Sequence, residues 1–452
     1  MEQAPKLEFH PEAARAFNEE AETLVRAVEP QPQIQARKPS FRPDISVAAN
    51  IAEKDLLGEI RVGLSDGFGN PTGQFFHRGN ELVGLVGQGF KSLMKLAERI
   101  QSTASFRDKI STKCVADLTM FWVEKRYRDE TTVSLTHYLL AECALKVKPF
   151  EIWVPLFHLH LEEEIRLGNV EFKTITRQML DDWDEWRLEH AGGDVHALRE
   201  HFSKERKRLQ ATTAAVVRLQ AESTFAYDQA FGEAQKAAAL LSFFHPANLA
   251  PRARAFCAPV GSENARTSMS LLIDDGKIRG SQRKSLYRGN SAWFLDKSHV
   301  AHWRQNGLEE LSALFGSNDR TPFQNDLLNA LILYSKNVFA EDVADKLVPI
   351  CVALESMLLR NNMEPIAQNL ADRMAFLIGT TKEKRKSIQK NIKDAYGLRS
   401  RFLHHGYSIE EMEAVQEFMV NAWSCFLVLI LDAKKFNTKQ ELLGALEDRK
   451  LA

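Results

Sequence analysis

Residues 396–406 read YGLRSRFLHHG and close a segment of helical periodicity that begins near Lys382. Ile388, Ile392 and Ala395 recur in that segment at the three- and four-residue spacing of one helix face. A glycine just past such a stripe suits the left-handed turn that ends many helices. The stretch therefore predicts the last turns of a helix whose C-terminal end is exposed.

Four more segments of the C-terminal region carry the same periodicity. Short connections favour antiparallel packing of the resulting helices, and Ser408 and Glu411 predict a capping box at the start of the last one. We therefore predict an antiparallel helical bundle over residues 321–452. Its other helices are expected at Phe323–Ser335, at Asp342–Leu359, from Ile366 to Leu377 and from Met412 to Leu429.

The chain before this bundle predicts a mixed region with a few strands. Alternating hydrophobicity at 151–161 and 164–172 predicts paired strands with a tight turn at Gly168 and Asn169. Residues 195–244 predict one long helical segment. Shorter helices are expected at about 90–102, 108–125 and 133–146.

These patterns predict an α+β protein that is mainly α. Residues 1–50 contain frequent prolines, which interrupt long elements, and are predicted to form a partly ordered lead-in. Residues 51–320 are predicted to form the mixed α/β region, and residues 321–452 the helical domain.

Composition narrows the class of protein further. The 452 residues are 44% hydrophobic and 26% charged with a net charge of -1, so any attraction to nucleic acid must come from a local surface. The five cysteines form no Cys-x-x-Cys pair, and the N-terminus lacks the basic and apolar regions of a signal peptide. The most apolar run, Cys425–Leu431, is too short to span a bilayer. We therefore expect a cytoplasmic protein that makes no membrane contact.

Two upstream motifs carry little chemistry. Residues 84–89 are rich in glycine, but their spacing matches neither the dinucleotide fingerprint nor a phosphate loop, so turns and close backbone contacts explain them better. His158 and His160 share one predicted strand face and could supply two metal ligands. No third ligand is identifiable, and the alternative is a pair of histidines that face solvent or a partner. We expect no metal and no cofactor.

The helix that ends at residue 406 is strongly basic. Between Thr380 and Gly406 the chain has eight lysines and arginines against two acidic residues, which predicts either a phosphate-binding surface or a solvated basic helix face. The candidate nucleic-acid-binding residues are Lys384, Arg385, Lys386, Lys390, Lys393 and Arg401.

Arg399 lies on the apolar side of this helix, seven residues after Ile392 and four after Ala395. A half-buried guanidinium is costly unless it is paired. One explanation is a structural ion pair with Glu355, which lies among leucines and a methionine. The other is that Arg399 grips a phosphate at the seam of a dimer.

The end of the helix offers groups for proton transfer. Ser400 and His404 are four residues apart and share a helix face, so the serine could orient the imidazole. Histidine is the side chain best suited to move protons near neutral pH, and arginine is a permanent cation shaped for phosphate. Together with the basic surface, these groups suffice for RNA cleavage without a metal.

The segment Tyr396–Gly406 resembles the arginine–polar residue–histidine signature of HEPN domains, most closely that of the Apea-like group. The offset from Arg399 to His404 fits the Arg-Ser-x-x-x-His form, and His405 with Gly406 fits the usual His-Gly ending. Residues 353–358 are similar to the helix that precedes the motif in that family. The resemblance covers about 322–440.

The resemblance implies an all-α bundle that dimerises and cuts RNA without metal, in antiphage defence, abortive infection or a toxin-like setting. Arg399 would then neutralise the scissile phosphate, and His404, or His405 in its place, would act as general base or acid. Ser400 would orient the histidine, and Glu355 and Tyr396 would support the site.

The resemblance also implies partners. RNA would be the substrate, and a second copy would bind through the C-terminal domain. Residues 51–320 would act as a sensor or regulator that responds to a regulatory partner or a phage-derived trigger. Some HEPN domains serve instead as RNA-binding or assembly modules without cleavage. That alternative stays open at the level of sequence.

Overall fold

The computed structural model describes residues 7–30, 62–66, 68–78, 81–190, 195–255, 257–260, 267–274, 277–285, 293–340, 342–361, 363–405 and 410–451. Contacts between Cα atoms divide the chain into two compact units. The first comprises residues 1–150 with 219–228, and the second comprises 151–218 with 229–452.

This division differs from the predicted one, because no unit boundary falls at residue 320. Contacts between distant parts of the chain are the reason. Within the second unit, Trp423 donates its indole N–H to the carbonyl of Phe243 at 3.0 Å, and the two rings stack with centroids 5.6 Å apart. Such contacts tie the C-terminal helices to segments upstream of 320, and hydrophobic periodicity does not record them.

The first unit combines helices with a four-stranded antiparallel sheet of order β1-β4-β3-β2. Phe76, Val83 and Leu85 of the sheet share one buried cluster with Leu93 and Trp122 of the helices. The elements are α1 (Pro11–Arg26), β1 (Glu29–Pro30), β2 (Val62–Ser65), β3 (Pro71–Arg78), β4 (Glu81–Val86), α2 (Gly87–Gln101), α3 (Thr112–Tyr127) and α4 (Leu135–Lys146).

The three helices expected between residues 90 and 146 are confirmed as α2, α3 and α4. The glycine-rich motif forms the end of β4 and the start of α2, and a Cβ at Gly84 would lie 2.1 Å from the carbonyl oxygen of Gln74. Close strand contact therefore explains that glycine, as the sequence indicated.

The predicted partly ordered lead-in contains one helix in its described part. Residues 11–26 form α1, and Phe17, Ala21 and Leu24 are buried in the core of the first unit. Pro11 does not interrupt the helix because it stands at the first helical position, where its missing N–H is not needed. Residues 31–50 of the predicted lead-in lie outside the described residues.

The rest of the chain contains the remaining strands and helices. The strands are β5 (Lys148–Phe157), β6 (Leu159–Leu161), β7 (Ile165–Leu167), β8 (Val170–Thr174), β9 (Thr213–Ala221), β10 (Ala258–Pro259), β11 (Thr267–Asp274), β12 (Lys277–Ser285) and β13 (Trp293–Leu295). The helices are α5 (Arg177–His190), α6 (Val195–Leu209), α7 (Ser223–Leu241), α8 (Lys297–Trp303), α9 (Glu309–Gly316), α10 (Pro322–Tyr334), α11 (Val343–Leu358), α12 (Ile366–Ile378), α13 (Lys382–His405), α14 (Met412–Leu431) and α15 (Lys439–Leu451).

Five of these strands form one sheet of order β10-β5-β9-β8-β7. The antiparallel pair β7–β8 turns at Gly168, whose φ of 60° is left-handed, so the predicted tight turn is confirmed. A separate pair consists of β6 and β13, which run parallel. The change from one sheet to the other occurs at His158, between β5 and β6.

The single long helix predicted for 195–244 is wrong. Its middle is β9, whose first five residues are buried, and α6 and α7 lie on either side. The segment contains Thr212, Thr213, Val216 and Val217, and β-branched side chains of this kind favour a fully buried strand over a helix. The residue before the change, Ala211, has a left-handed φ of 63°, which ends the helical path.

The helices predicted for the C-terminal region are confirmed as α10 to α14. The capping box is wrong in its described part, because Glu411 is itself the N-cap residue of α14 and makes no side-chain cap bond. Ser408 lies outside the described residues. The helical periodicity predicted for α14 corresponds to one buried side of the helix, which includes Val415, Met419 and Phe426.

The fold is α+β and mainly α. Among the described residues, α14 is the one helix whose length and composition would allow it to cross a membrane. Of its 18-residue apolar stretch, 50% is buried inside the protein.

Candidate functional site

The candidate residues lie on α13, which packs against α11, α12 and α14. Its buried side consists of apolar residues such as Ile388, Ile392 and Ala395, as the periodicity predicted. Asn391, buried among them, donates to the carbonyl of Ala414 at 2.9 Å and accepts from the amide of Asn421 at 2.9 Å. These bonds fix the register of α13 against α14, so the side chains on its other faces have defined directions.

The ion pair expected between Arg399 and Glu355 is present. Nη1 of Arg399 lies 3.3 Å from Oε1 of Glu355, and the side chains are 22% and 21% exposed. The hydroxyl of Tyr396 donates to the same carboxylate oxygen at 2.9 Å, and the guanidinium carbon of Arg399 lies 5.8 Å from the centre of the Tyr396 ring. We call these three residues the arginine cluster.

The guanidinium of the arginine cluster is only partly satisfied. Nε of Arg399 is buried and has no hydrogen-bond partner within the part of the chain that the structure describes. A guanidinium has five N–H donors, and an unsatisfied buried donor costs about 1–3 kcal/mol. The buried Nε is out of reach of a ligand, so an anion could contact only the exposed 22% of this side chain while Glu355 holds the rest.

Two groups around the cluster are kept protonated. Burial, together with Cys351 and Glu355, raises the pKa of Tyr396 well above its usual range. Burial also raises the pKa of the Cys351 thiol to about 12, although the charge of Arg399 acts in the opposite direction. Tyr396 therefore remains a hydrogen-bond donor to Glu355 near neutral pH, and Cys351 supplies no thiolate.

The basic residues of α13 divide into structural and free groups. Nε of Arg385 donates to the carbonyl of Gly379 at 3.0 Å, and its guanidinium lies 4.5 Å from the centre of the Phe376 ring. Its position between α12 and α13 thus makes it a structural residue, and its assignment to a nucleic-acid surface is not supported. Arg401 is exposed but forms an ion pair with Glu411 at 2.8 Å.

Lys386, Lys390 and Lys393 form an exposed row at four- and three-residue spacing, which we call the lysine face. None of the three makes an ion pair with any described residue. Lys384 is also exposed, but the helical repeat places it on a different side of α13. A count of charges over the whole helix does not distinguish the lysine face from Lys384, whereas the positions of these residues in the helical repeat do.

Gly397 continues the lysine face one turn after Lys393. Nothing lies within 4 Å of the position that a Cβ would occupy there. Glycine in a helix interior costs about 1 kcal/mol relative to alanine, and no contact within the described chain requires it. The absence of a side chain at Gly397 leaves the backbone open to close approach by a ligand, and no sequence motif marks this residue.

The backbone of α13 continues through His404 and His405. The side chains of 403–405, and all of Gly406, lie outside the described residues, so the choice between His404 and His405 stays a prediction. Ser400 is exposed, and its bond to His404 also stays a prediction. Residue 404 falls seven residues after Gly397, which is about two helical turns, so its backbone position continues the line of the lysine face.

The same repeat separates the two key positions. At about 100° per residue, residues 399 and 404 are about 140° apart around the axis of α13. Arg399 faces α11 through Glu355, and position 404 falls on the other side of the helix. Helix geometry alone therefore does not bring the arginine and the histidine of one chain to the same point.

Other candidates are weaker. Two of the four basic residues at 204–208 are paired within the described chain, since Lys204 contacts Glu200 at 2.8 Å and Arg206 contacts Asp184 at 2.7 Å. His158 and His160 do not share one strand, because His158 has a left-handed φ of 57° between β5 and β6. Among the residues that the structure describes, no group of three or more histidine, cysteine, aspartate or glutamate side chains could hold a metal ion.

The comparisons with known proteins give no further guide. No family model, no curated protein and no solved structure matches the chain.

Proposed function

We propose that this protein is a metal-independent endoribonuclease of the HEPN type, with Arg399 and His404 as its catalytic residues. The observation that carries the proposal is the placement of Arg399, which Glu355 holds through Nη1 while 22% of its side chain stays exposed. A positioned cation that is still accessible from solvent suits the binding of a phosphate whose charge increases during reaction.

The lysine face supports RNA as the ligand. Three exposed lysines in a row on one helix form a local positive surface on a protein whose net charge is only -1. The row runs along α13 toward position 404. A strand that follows the lysines would therefore reach the end of the helix, where the histidines are.

The separation of positions 399 and 404 supports a site shared by two copies. Because the two residues leave α13 about 140° apart, a second copy related by a two-fold axis would supply the histidine that meets the arginine of the first. Such an arrangement produces two equivalent sites for each dimer. It also gives a reason for cleavage to depend on assembly, which would restrain an RNase inside its host.

The chemistry is transesterification within the RNA. His404 would take the proton of the ribose 2′-OH as general base, and the 2′ oxygen would attack the neighbouring phosphorus. Arg399 would neutralise the charge that develops on the phosphate oxygens. The bond to the 5′ oxygen breaks, that oxygen takes up a proton, and the products are a 2′,3′-cyclic phosphate and a 5′-hydroxyl.

Mixing two inactive variants tests this proposal. We expect Arg399→Ala and His404→Ala to be inactive alone, and their equal mixture to recover about a quarter of the wild-type cleavage rate, because half of the dimers are mixed and each has one intact site. Cleavage of a labelled RNA would be measured after subunit exchange, with light scattering to establish the dimer. The control is the double variant mixed with either single variant, because no dimer in such a mixture can contain an intact site.

A mixture that stays as inactive as its components, although differently tagged subunits co-purify as mixed dimers, would refute the shared site. Monomers that still cleave RNA would place both groups in one chain.

The second candidate function is RNA binding without cleavage. It is favoured by the ion pair of Arg399 with Glu355, which already gives the arginine a structural role, while the lysine face is unpaired among the described residues. In this case neither Arg399 nor His404 would affect the integrity of RNA, and the lysines alone would determine affinity.

Both functions require the lysine face, and its replacement gives a separate prediction. We expect Lys386→Gln, Lys390→Gln and Lys393→Gln together to weaken RNA binding by roughly tenfold or more, and to reduce the slope of log affinity against log salt by about 2, since each phosphate contact contributes about 0.7 for single strands. Fluorescence anisotropy at several salt concentrations measures both quantities.

The matched control replaces three other exposed lysines of the second unit, Lys207, Lys297 and Lys434, by glutamine. Its change in net charge is the same, so only the location differs. Equal losses in the two triple variants would mean that net charge, rather than the lysine face, governs binding.

A further inference from the structure

The second unit contains a cavity of about 700 Å³ where β5 ends and β6 begins. It is lined by residues 155–160, by Leu209 at the end of α6, by Thr212 and by Val260. Small-molecule sites occupy about 300–1,000 Å³ and are mostly apolar with a few polar groups. The volume therefore suits a small molecule, and the site is remote in sequence from the proposed RNA site.

The backbone at this cavity is strained and held. His158 adopts a left-handed φ of 57°, which costs a residue other than glycine about 1–3 kcal/mol. The backbone N–H of Trp293 donates to the carbonyl of His158 at 2.7 Å and fixes this conformation. The kink moves the chain from the five-stranded sheet to the β6–β13 pair, and the residues on both sides of it line the cavity.

The described lining of the cavity carries no charged side chain. Leu156, Leu159, Leu209 and Val260 provide apolar surface, and none of the described residues that line the cavity is a lysine, arginine, aspartate or glutamate. Burial, with a smaller effect of His160, lowers the pKa of His158, so its imidazole is neutral near pH 7. A charged ligand would lose its hydration here without gaining a counter-ion.

One side of the cavity carries aromatic rings. The ring of His160, a lining residue, stacks on the ring of Phe294, which lies outside the lining, with centroids 4.8 Å apart and planes 16° apart. The ring of Phe157 lies 6.0 Å from that of His158. Aromatic surfaces in offset-stacked or edge-to-face contact contribute about 0.5–1.5 kcal/mol beyond the area that they bury.

We propose that this cavity binds an uncharged aromatic small molecule, with its ring against the histidine and phenylalanine side chains and a hydroxyl or amide group hydrogen-bonded to an imidazole. A metal ion is a poor fit, because the two histidines have no third ligand among the described residues. A nucleotide or other anion is disfavoured by the uncharged lining. This site does not depend on the proposed nuclease function.

The test compares two probes that share a ring system and differ in charge. We expect 2-naphthol, which is neutral at pH 7, to bind the full-length protein at least about tenfold more tightly than 2-naphthoate, since the carboxylate would be desolvated without a partner. Isothermal titration calorimetry or saturation-transfer NMR gives both affinities.

Two pairs of variants locate the site. Val260→Glu places a carboxylate in the lining and should abolish naphthol binding, whereas Val133→Glu, at a similarly exposed valine of the first unit, should leave it unchanged. His160→Ala should weaken binding several-fold, about the value of one aromatic contact, and His299→Ala, an exposed histidine outside the cavity, should not.

Each alternative outcome has a definite meaning. Equal binding of the neutral and anionic probes, no binding of either at millimolar concentration, or identical effects of the glutamate variants would each overturn the proposal. Tight binding of the anion alone would also overturn it, because it would reveal a cation that the lining residues lack. Circular dichroism of each variant establishes that the comparison is made on folded protein.

Discussion

His404→Ala is expected to lower the rate of RNA cleavage by about a hundredfold or more, because a positioned general acid or base contributes about 10²–10⁴ to the rate. The melting temperature should stay within the error of the measurement. By the helical repeat, position 404 is on the side of α13 opposite the buried Ala395, so the change removes no core residue. Single-turnover cleavage of a labelled RNA, with identification of the product ends, measures the effect.

His405→Ala is the matched control, since it removes the same group one residue away. If the histidine five residues after Arg399 is the catalytic one, we expect His405→Ala to lower the cleavage rate much less than His404→Ala does. EDTA should not change the wild-type rate, because the proposed chemistry uses no metal. Cleavage that survives both single histidine changes and the double change would exclude the nuclease proposal and leave the RNA-binding function.

The sequence predicts the C-terminal helices well, and the physical reason is local. In α11 to α14 the buried residues recur at the spacing of a single helix face, so the period can be read without knowledge of the neighbours. The same spacing placed Arg399 on the packed side of α13 and left two explanations open, and the structure contains the first of them, the ion pair with Glu355.

Helical pattern fails where tertiary contacts override it. The segment around Val216 has alanines and charged neighbours typical of a helix, yet it is β9, a buried strand between β5 and β8. Its β-branched residues favour a strand, but the pairing of β9 with β5 and β8 involves segments far away along the chain, which a local pattern does not contain. The division into units was missed for the same reason, as the contact between Trp423 and Phe243 illustrates.

The candidate site illustrates a further limit of charge counting. Arg385 and Lys386 are adjacent and carry the same charge, yet one is bonded to the carbonyl of Gly379 and the other is exposed. The difference depends on where α12 ends and how its last residues meet α13. A count of basic residues treats the two alike, whereas the helical repeat distinguishes the sides of the helix on which they lie.

Arg399→Ala is expected to affect both stability and cleavage. It leaves the Glu355 carboxylate 21% exposed without its cation, which we expect to lower the free energy of unfolding by about 1–3 kcal/mol. It also removes the group proposed to neutralise the phosphate, for which we expect a loss of about 10²–10³ in the cleavage rate. Chemical denaturation and single-turnover cleavage measure the two effects, which a single variant cannot separate.

A double variant, Arg399→Met with Glu355→Gln, separates them. Methionine replaces the stem of the arginine, and the amide oxygen of glutamine can still accept from the Tyr396 hydroxyl, so no buried charge lacks a partner. We expect most of the lost stability to return while cleavage stays as low as in Arg399→Ala. If cleavage returned with stability, Arg399 would serve only to hold the fold of α11 against α13, and RNA cleavage would need another cation. If stability returned and cleavage did not, the arginine would act on the substrate itself.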